Sequence, residues 1–316
     1  MNKLAICFSG QGSQYLNMGI DFIDGDYQFN NMALEASRLL GFDVIEAFKD
    51  EEKMRQTLYV QPLVALKSIF GYEKIKSLNP IISAVEGFSL GEYTAYFAAE
   101  VFDFKQILTI ISKRALYMEE ETKKQKGLMA AIIGLEYDDV KSVCDGFENE
   151  GVLKLANENS PNQFVISGEE QLVHQAVELL KNKGARRAVI LNTSGAFHTP
   201  LMKHASKKLV EDIKNNVILK PKQKKLDMYM NLDATLLSDD DIYTHIEKQM
   251  THSVKFIDSI QNMKKDGITH ILEIGPGKVL TGLIKKIDPT IEVMSFDTYE
   301  SFDAVKGWLN THEFTK

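Results

Sequence analysis

Apolar positions along this chain come in two arrangements that alternate: short unbroken runs, and runs spaced three and four residues apart. The unbroken runs predict buried strands at residues 4–8, 80–85, 128–133, 152–157, 163–167, 188–191, 225–231 and 269–274. The wider spacing predicts helices. In residues 27–40, Phe29, Met32, Ala33, Ala36 and Leu40 fall on one side. Residues 43–59 are charged and predict short helices. Gln61 and Pro62 open a helix over 63–78, with proline at its first turn. Residues 103–123 predict a helix capped by Asp103, with Ile107, Ile110, Ile111 and Met118 on its apolar face. Further helices are expected over 94–99, 137–149, 169–183, 201–215, 239–250, 256–265 and 279–286.

The order of elements divides the chain. Residues 128–191 read βαββαβ, the ferredoxin-like order, with a polar turn at 158–162. Polar connections at 123–127 and 192–195 bound this stretch. The reading is an inserted ferredoxin-like subdomain, 126–195, within a large domain made of 1–125 and 196–316. In the large domain, strands alternate with helices, which predicts an α/β architecture with a mainly parallel sheet. There are no internal repeats and no low-complexity segment.

Size and charge narrow the class. A chain of 316 residues can bury a large core. No apolar run is long enough to span a bilayer, and the first residues lack a signal-peptide layout. Cys7 and Cys144 are the only cysteines, too few and too far apart for a disulfide framework or a metal site. Together these lead to the expectation of a cytoplasmic protein, with no membrane and no metal in its chemistry. The net charge of −7 argues against a nucleic-acid partner. The charge is uneven, because residues 181–225 carry twelve Lys and Arg but only Glu211 and Asp212 as acids. Such a stretch can steer an acidic partner.

The candidate chemistry centres on Gly87, Phe88, Ser89, Leu90 and Gly91, a G-x-S-x-G between a strand and a helix. This is the pattern of a nucleophile elbow and makes the large domain α/β-hydrolase-like. The strained turn lifts the Ser89 hydroxyl clear of the sheet, and the glycines let strand and helix approach. The amide of Leu90 and the following helix N-terminus favour developing negative charge. Residues 9–14 form a polar glycine loop whose amides can face an oxyanion. It is neither a phosphate loop nor a dinucleotide fingerprint. Gly275, Pro276, Gly277 and Lys278 read as a structural turn. Arg114 falls on the apolar face of its helix, where it needs either a buried acid or a ligand carboxylate. An activated serine needs a base. Of the seven histidines, His174, His204 and His245 fall within helices, His270 lies in a buried strand and reads as structural, and His312 in the tail reads as solvated. His252 follows a helix without a small-residue turn. His198 opens an element after a turn of small residues.

These pieces, taken together, resemble the malonyl-CoA:acyl carrier protein transacylases and the acyltransferase domains of fatty-acid and polyketide synthases. The resemblance rests on the loop from Phe8 to Gln14, the elbow with Glu92, Lys113 and Arg114 with Met118, and the stretches around Asn157, Asn159 and Val165–Gly168. It also includes Gly195–Thr199, Gln249 and Glu273–Gly277. It implies that Ser89 is the nucleophile and His198 its base, with the amides of Gln11 and Leu90 as oxyanion hole. It implies that Arg114 pairs with the malonyl carboxylate, that the Gln249 carbonyl orients His198, and that Asn157 and Asn159 line the cleft. It implies a malonyl-serine intermediate formed from malonyl-CoA as substrate, no permanently bound cofactor, and holo acyl carrier protein as recipient, with residues 181–225 as its candidate docking region. Two positions depart from the family pattern. Phe88 stands where histidine is usual and bears on acyl selectivity, and Ala115 stands where glycine is usual. The competing readings are an acyl-carrier-protein thioester hydrolase of the same fold, an α/β-hydrolase esterase, and a non-enzymatic scaffold. Arg114 speaks against the first, the position of the insert against the second, and the intact Ser89, His198 and Arg114 set against the third.

Overall fold

The structure is a computed structural model that describes residues 2–193 and 195–315. The part of the 192–195 connection that falls on Ser194 lies outside the described residues. The chain begins with β1 (Leu4–Phe8), then α1 (Ile20–Gly25), α2 (Tyr27–Leu40), α3 (Val44–Phe48) and α4 (Thr57–Lys76). Next come β2 (Ile82–Gly87), α5 (Gly91–Ala98) and α6 (Phe104–Lys124). The middle segment runs β3 (Gly127–Ile133), α7 (Tyr137–Gly146), β4 (Leu153–Ser160), β5 (Gln163–Glu169), α8 (Glu170–Asn182) and β6 (Arg187–Ile190). The remainder is α9 (Lys203–Asn215), β7 (Asp227–Met228), α10 (Ile242–Gln249), α11 (Phe256–Lys265), β8 (His270–Ile274), α12 (Val279–Ile287), β9 (Glu292–Phe296) and α13 (Phe302–Thr311).

Two sheets organise these elements. The first has strand order β7-β2-β1-β8-β9 and every pair in it is parallel. Its central strand β1 is apolar and buried throughout because both faces of the sheet are covered there. In β1, Leu4, Ile6 and Phe8 enter one core, while Ala5 and Cys7 enter another on the opposite face. The register sets Phe8 beside both Gly87 and Ile274. The loops that leave the carboxyl ends of β1, β2 and β8 therefore emerge side by side, the usual place for a ligand in a parallel sheet. The second sheet, β4-β5-β3-β6, is antiparallel and packs on α7 and α8 around its own core, which includes Ile132, Val140, Phe164, Ile166 and Val173.

Several expected elements differ in extent. The helix expected over 63–78 begins at Thr57, so Pro62 lies inside it. That helix is buried on nearly every side and so has no amphipathic phase to mark its start; a proline on the sixth residue forfeits only one helical hydrogen bond. The strand expected over 225–231 is reduced to β7, because Met230 and Tyr229 turn back to bond Thr235 and Leu236. The helix expected over 239–250 is a 3₁₀ turn at Asp239–Asp241 followed by α10. The one expected over 201–215 is a 3₁₀ turn at Pro200–Met202 followed by α9. The turn expected at 158–162 is tighter, since β4 runs on to Ser160. β9 and α13 were not signalled by the pattern, β9 because it is a half-buried edge strand with only Phe296 fully buried. No helix among the described residues is long and apolar enough to cross a membrane.

Candidate active site

Ser89 sits on the turn between β2 and α5 with φ of 51°, a left-handed conformation that a non-glycine residue adopts only where its surroundings enforce it. The surroundings do. A Cβ on Gly87 would stand 1.9 Å from the Gly91 carbonyl carbon, and one on Gly91 would stand 2.1 Å from the Phe8 carbonyl oxygen. Strand, turn and helix are thus in direct backbone contact. Asn231, after β7, holds the turn from outside. Its Oδ1 accepts the Ser89 amide (2.7 Å), its Nδ2 donates to the Gly87 carbonyl (2.7 Å), and its own amide donates to Glu92 Oε2 (2.7 Å). Burial pushes the Glu92 carboxyl up to about 8, so near neutral pH it is mostly uncharged. Nothing in the sequence pattern set Asn231 apart, since it acts through the ends of the strand it was assigned to.

His198 also has a left-handed backbone, φ 60°, and its imidazole is buried. Its Nδ1 lies 2.9 Å from the Gln249 carbonyl and 3.1 Å from the His252 carbonyl. Two acceptors on that side fix the proton on Nδ1 and leave Nε2 as an acceptor. Ser89 Oγ is 2.8 Å from that Nε2 and donates to it. Burial first, and the charge of Arg114 second, depress the imidazole pKa to about 4. The ring is therefore neutral and able to accept a proton near neutral pH.

Arg114, from α6, lies on the same cleft and is 1% exposed. Its Nη1 donates to Gln61 Oε1 (2.6 Å) and its Nη2 to Gln249 Oε1 (3.3 Å), and the guanidinium carbon stands 5.1 Å from the Tyr93 ring centre. Among the described residues no carboxylate lies within ion-pair distance, and its Nε has no hydrogen-bond partner. Burial lowers its pKa without neutralising it. The one buried acid that acts on it, Glu92, favours its charge from beyond ion-pair distance, so among the described residues no carboxylate pairs with the guanidinium. Gln249 links all three groups: its carbonyl faces His198, its Oε1 accepts from Arg114, and its Nε2 donates to the Ser89 carbonyl (2.7 Å). Gln61, fully buried inside α4, was legible only as a residue before a proline.

The loop after β1 closes the cleft. Gly10 packs on the elbow so closely that a Cβ would stand 2.4 Å from the Phe88 carbonyl oxygen. Among the described residues the amides of Gln11 and Leu90 have no intramolecular acceptor, and both residues line the cleft with Ser89. Two such donors can hold an oxygen that gains negative charge. Gly275 presses against Ser9, and Glu273 binds Ser9 Oγ (3.3 Å) and the Leu280 and Thr281 amides (2.9 and 2.7 Å). The Gly275–Gly277 turn is therefore structural. The cleft encloses about 520 Å³ between the two sheets. Phe88 lines it while packing edge-on to Phe256, and Asn157 and Asn159 reach it from the irregular part of β4. Asn159 Oδ1 and Thr193 Oγ1 are buried there without partners.

The geometry has a counterpart among known proteins. Residues 6–293 match the model of the acyl transferase domain. The chain belongs to the acyl transferase family. Among relatives of this acyl transferase is a malonyl CoA-acyl carrier protein transacylase of Staphylococcus aureus (strain MSSA476), 35% identical over 314 residues, 98% of this chain and 99% of that protein. Among solved structures, MCAT from Streptococcus pneumoniae superposes with a TM-score of 0.90 at 36% identity, covering 98% of this chain and 100% of the other. A malonyl-transacylase in complex with its type II PKS acyl-carrier protein superposes with a TM-score of 0.91 at 30% identity, covering 96% and 98%.

Proposed function

We propose that this acyl transferase moves a malonyl group from malonyl-CoA to the phosphopantetheine thiol of holo acyl carrier protein. The observation that carries the reading is Arg114: a buried cation with no carboxylate partner among the described residues, on the wall of the cleft that holds Ser89 and a neutral His198. An unpaired buried charge is costly, and a substrate carboxylate removes that cost. The relatives named malonyl transacylases support the same substrate.

Ser89 Oγ attacks the thioester carbonyl carbon as its proton passes to His198 Nε2. The oxyanion sits against the amides of Gln11 and Leu90, each worth about 3 kcal/mol in such sites. The C–S bond breaks, the proton on His198 leaves with the CoA thiol, and malonyl-serine remains. The carrier-protein thiol then enters, gives its proton to His198, and attacks the ester; Ser89 recovers the proton as it leaves. The carbonyls of Gln249 and His252 take the place that a carboxylate holds in a Ser-His-Asp triad. Each step is assigned to groups of this chain, with malonyl-CoA as substrate and no resident cofactor. CoA thioesters and carrier proteins as substrates fit a cytoplasmic enzyme.

The same reading divides the chain into an α/β-hydrolase-like domain, 1–125 with 196–316, and a ferredoxin-like subdomain, 126–195. The elbow supports the first and the separate core with antiparallel order β4-β5-β3-β6 the second. Asn157, Asn159 and Phe88 are the residues proposed to shape the acyl and pantetheine end of the cleft. The deciding experiment is discharge of the isolated malonyl-enzyme. Transfer predicts that it persists in buffer and empties when holo carrier protein is added, and not when the apo form is added. Release of free malonate at the same rate with or without carrier protein would establish the hydrolase instead.

A further inference from the structure

At the other end of the parallel sheet from Ser89, three side chains of metal-ligating type converge. His270 begins β8, Glu292 begins β9 directly beside it in register, and His312 follows α13. His270 Nε2 is 3.1 Å from His312 Nδ1 and 3.5 Å from Glu292 Oε2, and one donor atom from each residue lies within 4.8 Å of the other two. Zinc bonds of about 2.0–2.2 Å to nitrogen and oxygen place tetrahedral donors about 3.3–3.5 Å apart. The two measured separations bracket that spacing.

The atoms that would not face an ion are already engaged. His270 Nδ1 is 2.8 Å from Thr269 Oγ1. Glu292 Oε1 accepts from Trp308 Nε1 (2.6 Å). Partners of this kind fix ring orientation and raise ligand affinity. The rings of Trp308 and Phe314 pack on His270, giving the cluster an apolar wall. The His270 side chain is 8% exposed, but His312 and Glu292 are 20% and 49% exposed, so an ion can enter and a fourth ligand can come from water. His312 is thus not the freely solvated tail residue that the sequence suggested.

We propose that His270, Glu292 and His312 form a binding site for a divalent transition metal ion of the zinc class, separate from the catalytic cleft. Two imidazoles and a carboxylate are the donor set that zinc accepts, and three protein ligands leave one position open. The ion would join β8, β9 and the segment after α13, three pieces distant in sequence. Its role is structural: β8 is five residues long and carries the cluster at its amino end and the Gly275 turn of the active site at its carboxyl end.

The test is calorimetric titration of the chelator-treated full-length chain with Zn²⁺, for wild type, His312→Ala and Glu292→Gln, with circular dichroism to verify the fold of each. The proposal predicts saturable binding of one ion per chain at micromolar concentration or below, weakened more than ~10-fold in both variants. It also predicts that Co²⁺ gives the visible absorption of a tetrahedral site in wild type only. Absence of saturable Zn²⁺ binding to wild type, or binding of equal strength in both variants, would overturn it.

Discussion

Arg114 and His198 line the same cleft, and the charge of the first acting on the second sets a measurable pH dependence. A protonated His198 cannot take the Ser89 proton, so activity falls as pH drops through the imidazole pKa. Burial and the Arg114 charge hold that pKa at about 4. The acid limb of kcat/KM, which reports the free enzyme, is expected near that value rather than near the ordinary histidine value of about 6.5. In Arg114→Ala, assayed with acetyl-CoA, one of the two depressing causes is gone and the limb moves upward. A limb unmoved by that substitution would detach Arg114 from the base. Arg114 was legible in the sequence because a cation on an apolar helix face needs either a buried acid or a ligand carboxylate. Gln61, Asn231 and the side chain of Gln249 were not, because buried amides act through geometry that only the fold assembles.

At the level of elements, the elbow depends on three backbones in contact: β1, β2 and α5. The Phe8 carbonyl that a Gly91 side chain would strike belongs to the central strand and cannot move aside. Gly91→Ala is therefore expected to cost about 1–3 kcal/mol in stability and to displace the turn. Thermal unfolding and the rate of acyl-enzyme formation should both fall, whereas Asp103→Ala, which removes the cap of α6, should lower only the first, by about 1 kcal/mol. The G-x-S-x-G spacing revealed this element because the glycines are required by close approach. The start of α4 stayed hidden for the opposite reason: a helix buried all round carries no polar face to mark its phase. The apolar pattern runs past the end of β7 because Tyr229 and Met230 are apolar but belong to a turn.

Across the whole molecule, the basic stretch at 181–225 is divided between α8 and β6, which belong to the antiparallel sheet and its helices, and α9, which packs on α6 and α10. Lys181, Lys183, Lys208, Lys222 and Lys224 pair with acids of this chain. Lys203 and Lys207 are exposed, have no ion pair among the described residues, and share one face of α9, the helix that follows His198. Reversing both to Glu is expected to raise the KM for carrier protein several-fold while leaving formation of the malonyl-enzyme unchanged; equal effects on both half-reactions would refute α9 as a docking face. The central claim is that Ser89 receives a malonyl group whose carboxylate Arg114 holds. Intact-protein mass spectrometry after mixing with equal malonyl-CoA and acetyl-CoA tests it for wild type, Ser89→Ala and Arg114→Ala. The account predicts a malonyl adduct on wild type, none on Ser89→Ala, and a preference for malonyl over acetyl that falls by about 10²–10³-fold in Arg114→Ala. An adduct that survives Ser89→Ala, or a preference that Arg114→Ala leaves intact, would contradict it.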